Sequence, residues 1–157
     1  MVVKLLHNLI IVEDDYQIRT GLSRFFPWSQ IGFHLVQSFS NGKNALDYFE
    51  KNREVDVVLT DIRMPVMDGL ELAENLKKID PNILIVILTA YSEFQYAKKA
   101  VDLNVKNYVV KTTNYDELIT AFKSIKHELD NSRFNAIHQG ITNLKVENIL
   151  PDKQVIK

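Results

Sequence analysis

No cysteine occurs among the 157 residues. Disulfides, thiolate chemistry and cysteine-ligated zinc are therefore excluded. No apolar run approaches the roughly 18 uninterrupted residues that a membrane span requires, so no membrane partner is expected. An excess of one charge is lacking too. Nineteen basic residues stand against 20 acidic ones, for a formal net charge of −1, and no global field draws the chain to nucleic acid or to an anionic membrane. There is no internal repeat and no low-complexity stretch. The Met1–His7 segment is mildly apolar but has no small-residue cleavage site and runs straight into the next apolar run. It does not read as a signal peptide, and a cytoplasmic location is the default. What is present suits one domain with some tail to spare: 46% of the residues are hydrophobic, enough to bury a core.

Apolar runs alternate with segments of helical period. Leu9–Val12 reads as a first strand. Ile18, Leu22 and Phe25 recur at i, i+4, i+7, one face of a helix that Phe26-Pro27-Trp28 ends. Phe33–Phe39 alternates as a second strand closed by Asn41-Gly42, and Ala45, Leu46 and Phe49 mark a second helix. Val55–Thr60, apolar nearly throughout, reads as a strand buried on both faces. Gly69 opens a third helix striped by Leu72, Leu76 and Ile79 and ended by Asp80-Pro81-Asn82. Ile83–Leu88 is the most continuous run and the best central strand. Ser92 and Gln95 have capping-box spacing, which predicts a fourth helix from Ser92 with Phe94, Ala97 and Val101 facing inward. Asn104 stands where that helix should turn off with positive φ. Tyr108–Val110 is the fifth strand. Asn114 and Glu117 can cap a last helix striped by Leu118, Phe122, Ile125 and Leu129.

Five strands alternating with five helices predict a doubly wound α/β fold, with a parallel sheet and right-handed crossovers. Residues 130–157 differ. Asn131-Ser132 interrupts the stripe, Phe134, Ile137, Ile141 and Leu144 follow heptad-like spacing, Gly140 weakens that helix and Pro151 stops it. They are expected to form a linker stub or C-terminal tail.

The ends of the runs carry the chemistry. Leu9–Val12 leads into Glu13-Asp14-Asp15, the third run ends at Asp61, the fourth at Thr89 and the fifth at Lys111. Each has an ordinary structural explanation alone. Acids before a helix suit its macrodipole. Asp61 fits a turn ahead of Pro65, Lys111 a solvated strand end, Thr89 a β-former and Tyr108 a core aromatic. In parallel strands, however, all of these residues fall on one edge of the sheet. Ligands of open α/β sheets bind beyond the carboxyl ends of the strands, where the order reverses. In the order 2-1-3-4-5, taken over as precedent from the family named below, strands one and three flank that point. Gathered carboxylates repel one another, and a hard cation such as Mg²⁺ relieves the repulsion. One Asp61 oxygen can then attack phosphorus, with Mg²⁺, Lys111 and Thr89 meeting the developing charge.

The stretches Ile11-Val12-Glu13-Asp14-Asp15, Asp61-Ile62-Arg63-Met64-Pro65-Val66-Met67-Asp68-Gly69, Ile87-Leu88-Thr89-Ala90 and Tyr108-Val109-Val110-Lys111 match a known pattern. From about Asn8 to Leu129 the chain resembles the receiver domain of two-component response regulators. The resemblance implies a flavodoxin-like receiver fold over residues 8–129, and an Asp61 phosphorylated from a phosphohistidine on a cognate sensor histidine kinase. It implies a Mg²⁺ site with Asp14 as direct ligand, Glu13 acting through water, Asp61, and the backbone carbonyl of Arg63. Thr89 and Tyr108 match the switch pair, and Lys111 the lysine that pairs with the phosphate. Such a domain promotes its own phosphoryl transfer and slow dephosphorylation but is not a turnover enzyme, and it takes no organic cofactor. The face of helix four, strand five and helix five is then a surface for a second copy or an effector. Pro27-Trp28, Ile31-Gly32-Phe33 and Ala90–Ala97 look like receivers attached to arabinose-regulator-type (AraC-type) DNA-binding domains. On that reading the chain is a fragment that regulates transcription, and meets DNA, only through an effector region it does not include.

Two departures stand out. Thr112 follows Lys111 where the family usually has proline. A cis bond to a non-proline residue costs roughly 3 kcal/mol, which favours a trans loop and a less rigidly placed Lys111. Asn104 replaces a usual glycine, which αL geometry tolerates. His7, His34, His127 and His138 show no ligand spacing and are expected to be surface or structural, and Trp28 to be a packing residue. The rivals are a stand-alone receiver, a docking module independent of phosphorylation, and a phosphatase or phosphotransferase. Enzymes of the last kind carry a second aspartate where this chain has Arg63.

Overall fold

The computed structural model describes residues 5–111 and 114–149, and side chains within these as far as residue 140. The elements in chain order are β1 (His7–Val12), α1 (Tyr16–Arg24), β2 (Phe33–Phe39), α2 (Gly42–Lys51), β3 (Val57–Thr60), α3 (Gly69–Ile79), β4 (Leu84–Thr89), α4 (Phe94–Asp102), β5 (Asn107–Val110) and α5 (Asp116–Ile149). A single 3-10 turn at Ser29–Ile31 precedes β2. The strands are parallel and lie in the order β2-β1-β3-β4-β5. The expected doubly wound topology is therefore the observed one.

Successive side chains of a strand point to opposite faces, so a sheet covered on both sides needs apolar residues at nearly every position. On one face Leu9, Ile11, Leu59, Val86, Leu88 and Val109 pack with Leu22 of α1 and with Leu118, Phe122 and Ile125 of α5. On the other, Ile10, Val12, Val58 and Ile85 pack with Ala45, Leu46 and Phe49 of α2 and with Leu72, Ala73 and Leu76 of α3. Trp28 is buried at the first face, where its ring meets Phe122 edge-on at 4.9 Å and its indole N–H donates to the Leu22 carbonyl at 2.6 Å. Truncating a ring such as Phe122 from such a core typically costs about 3–5 kcal/mol.

Three expectations about α1 and α4 need correction. Phe25 does not belong to the inner face of α1. The helix ends at Arg24, Phe25 is its C-cap, and the turn into Pro27 leaves the ring 81% exposed. The capping box at Ser92 is not formed, because α4 begins at Phe94 with Glu93 at the N-cap and no side-chain cap bond. The inner stripe of α4 is also out of phase. Phe94 and Val101 are 79% and 76% exposed, while Ala100 is buried and Tyr96 and Leu103 pack with it against Ile62, Leu70 and Ile87. The helix lies over a small cluster near the sheet's edge, and an alanine flanked by a tyrosine and a leucine fits there better than a row of bulky aliphatics.

Asn104 has the expected positive φ, 59°. Leu118, Phe122 and Ile125 are buried in α5, with Leu129 packed against them. Asn131-Ser132 and Gly140 do not interrupt α5, which runs for 34 residues without a break. Phe134 and Ile137 are exposed on it. The side chains of Ile141 and Leu144, the expected stop at Pro151 and the geometry of the Lys111–Thr112 bond lie outside the described residues. His7 is fully buried, with its Nε2 2.6 Å from Asp130 Oδ1, whereas His34, His127 and His138 are exposed. No helix among the described residues is long and apolar enough to cross a membrane.

Candidate functional site

The register of the sheet brings the acids together. Val12 of β1 lies beside Thr60 of β3, so the next residues, Glu13 and Asp61, leave the sheet side by side. The Asp61 N–H donates to the Val12 carbonyl at 3.1 Å, and the Glu13 N–H to the Phe39 carbonyl at 2.9 Å. Beyond Glu13 the chain turns into α1, where the Asp15 side chain accepts from the Ile18 N–H at 3.0 Å. Asp15 is thus a cap, and Asp14 is left exposed at the rim.

Beyond Asp61 the chain loops to α3, which Asp68 caps by accepting from Leu70 N–H and Glu71 N–H at 2.8 Å each. Within the loop the Met67 N–H donates to the Pro65 carbonyl at 2.9 Å across Val66, whose φ is 74°. Positive φ is costly for a β-branched residue. Gly69 closes the loop. Its N–H donates to the Ile62 carbonyl at 2.7 Å, and a Cβ there would lie 1.9 Å from the Asp61 carbonyl oxygen. The glycine is thus needed for close approach of backbone to backbone, and it fixes the height of Asp61 above the sheet.

One carboxylate oxygen each of Glu13, Asp14 and Asp61 lies within 4.8 Å of the others. Lys111, at the end of β5, reaches across with its Nζ 2.6 Å from Glu13 Oε1 and 2.8 Å from Asp61 Oδ2. The other Asp61 oxygen, Oδ1, accepts from the Ile62 N–H at 2.6 Å. Burial pushes the Glu13 carboxyl up to about 7. The Lys111 bond opposes that rise, and the Asp61 charge adds to it. Burial pulls the Lys111 ammonium down, but its bonds to Asp61 and Glu13 outweigh this and hold it above the ordinary lysine range. The donors of the cluster are all carboxylate oxygens, the set that a hard divalent cation prefers. Burial first, and the Asp61 charge after it, disfavour the ionised Glu13 carboxyl, and a cation beside it would favour that form. The residues present therefore fit Mg²⁺.

Thr89 is fully buried, and its Oγ1 accepts from the Tyr91 N–H at 3.3 Å. Tyr108 is half-buried beside Ile62 and Ile87, with its hydroxyl donating to the Tyr91 carbonyl at 2.5 Å. Burial raises its phenol above the usual range. The side chain of Arg63 turns away from the acids, to Glu93 and Tyr96.

Sequence reasoning missed Arg19. Its guanidinium donates to the Glu13 carbonyl at 2.6 Å and so braces the loop that carries two of the acids. A basic residue one helical turn after the Asp15 cap was the available signal. It also missed the partners of Arg63, which no spacing reveals because they sit on a different element.

Residues 9–123 match the model of the response regulator receiver domain. The chain is 36% identical over 116 residues to sporulation initiation phosphotransferase F of Bacillus subtilis, covering 74% of this chain and 90% of that protein. It is 29% identical over 158 residues to the B. subtilis transcriptional regulatory protein YesN, covering 88% of this chain and 42% of YesN. The chain thus spans under half the length of that regulator. Its backbone superposes on the receiver domain of AraT, a response regulator from Geobacillus stearothermophilus, with a TM-score of 0.74 and 30% identity, covering 82% of this chain and 99% of that one. With five parallel strands in that order and a matching sequence over most of its length, the chain belongs to the receiver-domain family of two-component response regulators.

Proposed function

We propose that this receiver is a Mg²⁺-dependent phosphoacceptor switch whose acceptor is Asp61. The observation that carries the reading is the bridge made by Lys111, one ammonium joining Glu13 and Asp61 across the strand ends. An Asp61 oxygen attacks phosphorus, the phosphorus–nitrogen bond of a kinase phosphohistidine breaks, and its electron pair returns to the imidazole. Asp14, Glu13 through water, Asp61 and the Arg63 carbonyl would hold Mg²⁺, which supplies positive charge to the transferring group. Lys111 pairs with the bound phosphoryl group, and the Thr89 hydroxyl turns toward it. Tyr108 then moves inward, biasing the face of α4, β5 and α5 between two states. The exposed Phe94 and Val101 of α4 support the use of this helix in a surface for a second copy.

The domain covers residues 8–129, and residues 130–157 serve as a linker stub or C-terminal tail, into which α5 extends as far as Ile149. The likeness to the transcriptional regulatory protein YesN supports a role in transcription, with DNA met through an AraC-type effector region outside this chain. The reading places the protein in the cytoplasm, with a sensor histidine kinase as partner and no turnover chemistry beyond its own phosphorylation and slow dephosphorylation. It is tested by intact-mass spectrometry after incubation with Mg²⁺ and a small acyl phosphate. One phosphate is expected on the wild type, and none on Asp61→Asn or with a chelator present. A wild type that gains nothing, or an Asp61→Asn variant that gains as much, contradicts it.

A further inference from the structure

Asp14 is the exposed member of the acidic cluster, with one carboxylate oxygen within 4.8 Å of those of Glu13 and Asp61. Lys111 holds the carboxylates of Glu13 and Asp61, whereas among the described residues no hydrogen bond reaches that of Asp14. Asp14 is therefore placed by its backbone, and one side chain grips that backbone. Arg19 Nη1 donates to the Glu13 carbonyl at 2.6 Å and to the Asp14 carbonyl at 3.4 Å. Arg19 is fixed in turn by α1. Its N–H donates to the carbonyl of Asp15, the helix cap, at 2.9 Å, and its guanidinium lies 5.6 Å from the centre of the Tyr16 ring. The guanidinium thus takes the two peptide oxygens and leaves both carboxylates to the cluster.

We propose that Arg19 is a positioning residue for the cation: by clamping the Glu13 and Asp14 carbonyls it orders the β1–α1 loop in advance and raises the affinity of the acids for Mg²⁺. The inference rests on the metal site of the phosphoacceptor reading. Two effects of the guanidinium oppose each other. Its positive charge repels an incoming cation. Its bonds hold two of the acids beside Asp61 before a cation arrives, so less ordering is left to the binding step. The clamp acts at hydrogen-bond distance. The repulsion acts across a solvent-exposed rim and is screened by salt, with a Debye length of about 8 Å at physiological ionic strength. Partners that orient metal ligands typically change affinity by about 10- to 100-fold. Orientation therefore outweighs repulsion, and loss of Arg19 weakens binding even though it removes a like charge.

The probe is magnesium chloride, titrated into metal-free protein at about 0.15 M ionic strength and followed by the amide resonances of Asp14 and Asp61. Arg19→Met removes donor and charge together and is expected to bind roughly tenfold more weakly than wild type. Charge repulsion alone predicts the opposite sign. Arg19→Lys keeps the charge and a donor one bond shorter, and is expected to bind between the two, nearer to wild type. In the metal-free Arg19→Met protein, hydrogen exchange at the bonded amides of Glu13 and Asp15 should accelerate while β3 and β4 keep their wild-type protection. Binding by Arg19→Met as tight as wild type or tighter, Arg19→Lys as weak as Arg19→Met, or acceleration spread through the sheet overturns the proposal. Should Arg19→Met fail to fold, Arg19→Gln, whose amide ends two bonds short of the guanidinium nitrogens, takes its place with the same expected direction. A wild type whose resonances do not respond to magnesium overturns instead the metal site beneath the proposal.

Discussion

Glu13 sets the electrostatics of the acidic cluster. Its carboxyl titrates near 7 in the folded chain against an ordinary value of 4.5. The native state therefore binds this proton more tightly than the unfolded one. Glu13 contributes stability that is fully present below about 4.5 and is lost as pH rises through about 7. In buffer without divalent cations, urea unfolding of the wild type should lose stability relative to Glu13→Gln across that window. A constant difference between the two proteins would contradict it. Gly69 sets the geometry. Because a Cβ would strike the Asp61 carbonyl oxygen, Gly69→Ala must displace the loop. It should cost about 2–3 kcal/mol in urea unfolding and slow phosphorylation, and an alanine variant of wild-type stability would show that the loop is not fixed there. The acids themselves were legible in the sequence, because parallel strands put the ends of their apolar runs on one edge. Glu13, Asp14, Asp61, Thr89 and Lys111 needed that rule together with the strand order taken over from the family they resemble. The contacts of Arg63 and Arg19 were not legible, because long side chains choose partners by rotamer and by the path of a loop.

The base of the α5 extension is tied to the edge of the sheet opposite the acids. His7 begins β1 and meets Asp130, which Lys126 also pairs, and Arg133 reaches Asp56 at 3.3 Å. No sequence pattern joins His7 to a residue 123 positions away, and a lone histidine at the start of an apolar run has many possible partners. Asp130→Asn should weaken the bond to the buried imidazole at a cost of about 1–2 kcal/mol. Native-state hydrogen exchange of residues 127–133 should then accelerate, while the amides of β3 and β4 stay protected. Equal acceleration throughout would mean that the contact serves general stability rather than the anchoring of α5. The phase of α4 was misread for a related reason. Its buried face is narrow, so the exposed Phe94 and Val101 imitate a core stripe. In α5 the inner stripe was read correctly, since Leu118, Phe122 and Ile125 face a deep core.

Across the whole molecule, two ends of one sheet do different work. The carboxyl ends of the strands gather Glu13, Asp14, Asp61 and Lys111, and the amino ends hold the helix that leaves the domain. At the usual rise, the 34 residues of α5 span about 50 Å, well beyond the body that its first turns cover. The central claim is that the converging acids make Asp61 the acceptor. Borohydride reduces an acyl phosphate to an alcohol, so protein phosphorylated with Mg²⁺ and a small phosphodonor, then reduced and mapped by peptide mass spectrometry, should carry homoserine at position 61. Homoserine at position 14, 15 or 68 instead, or at none, would contradict the account.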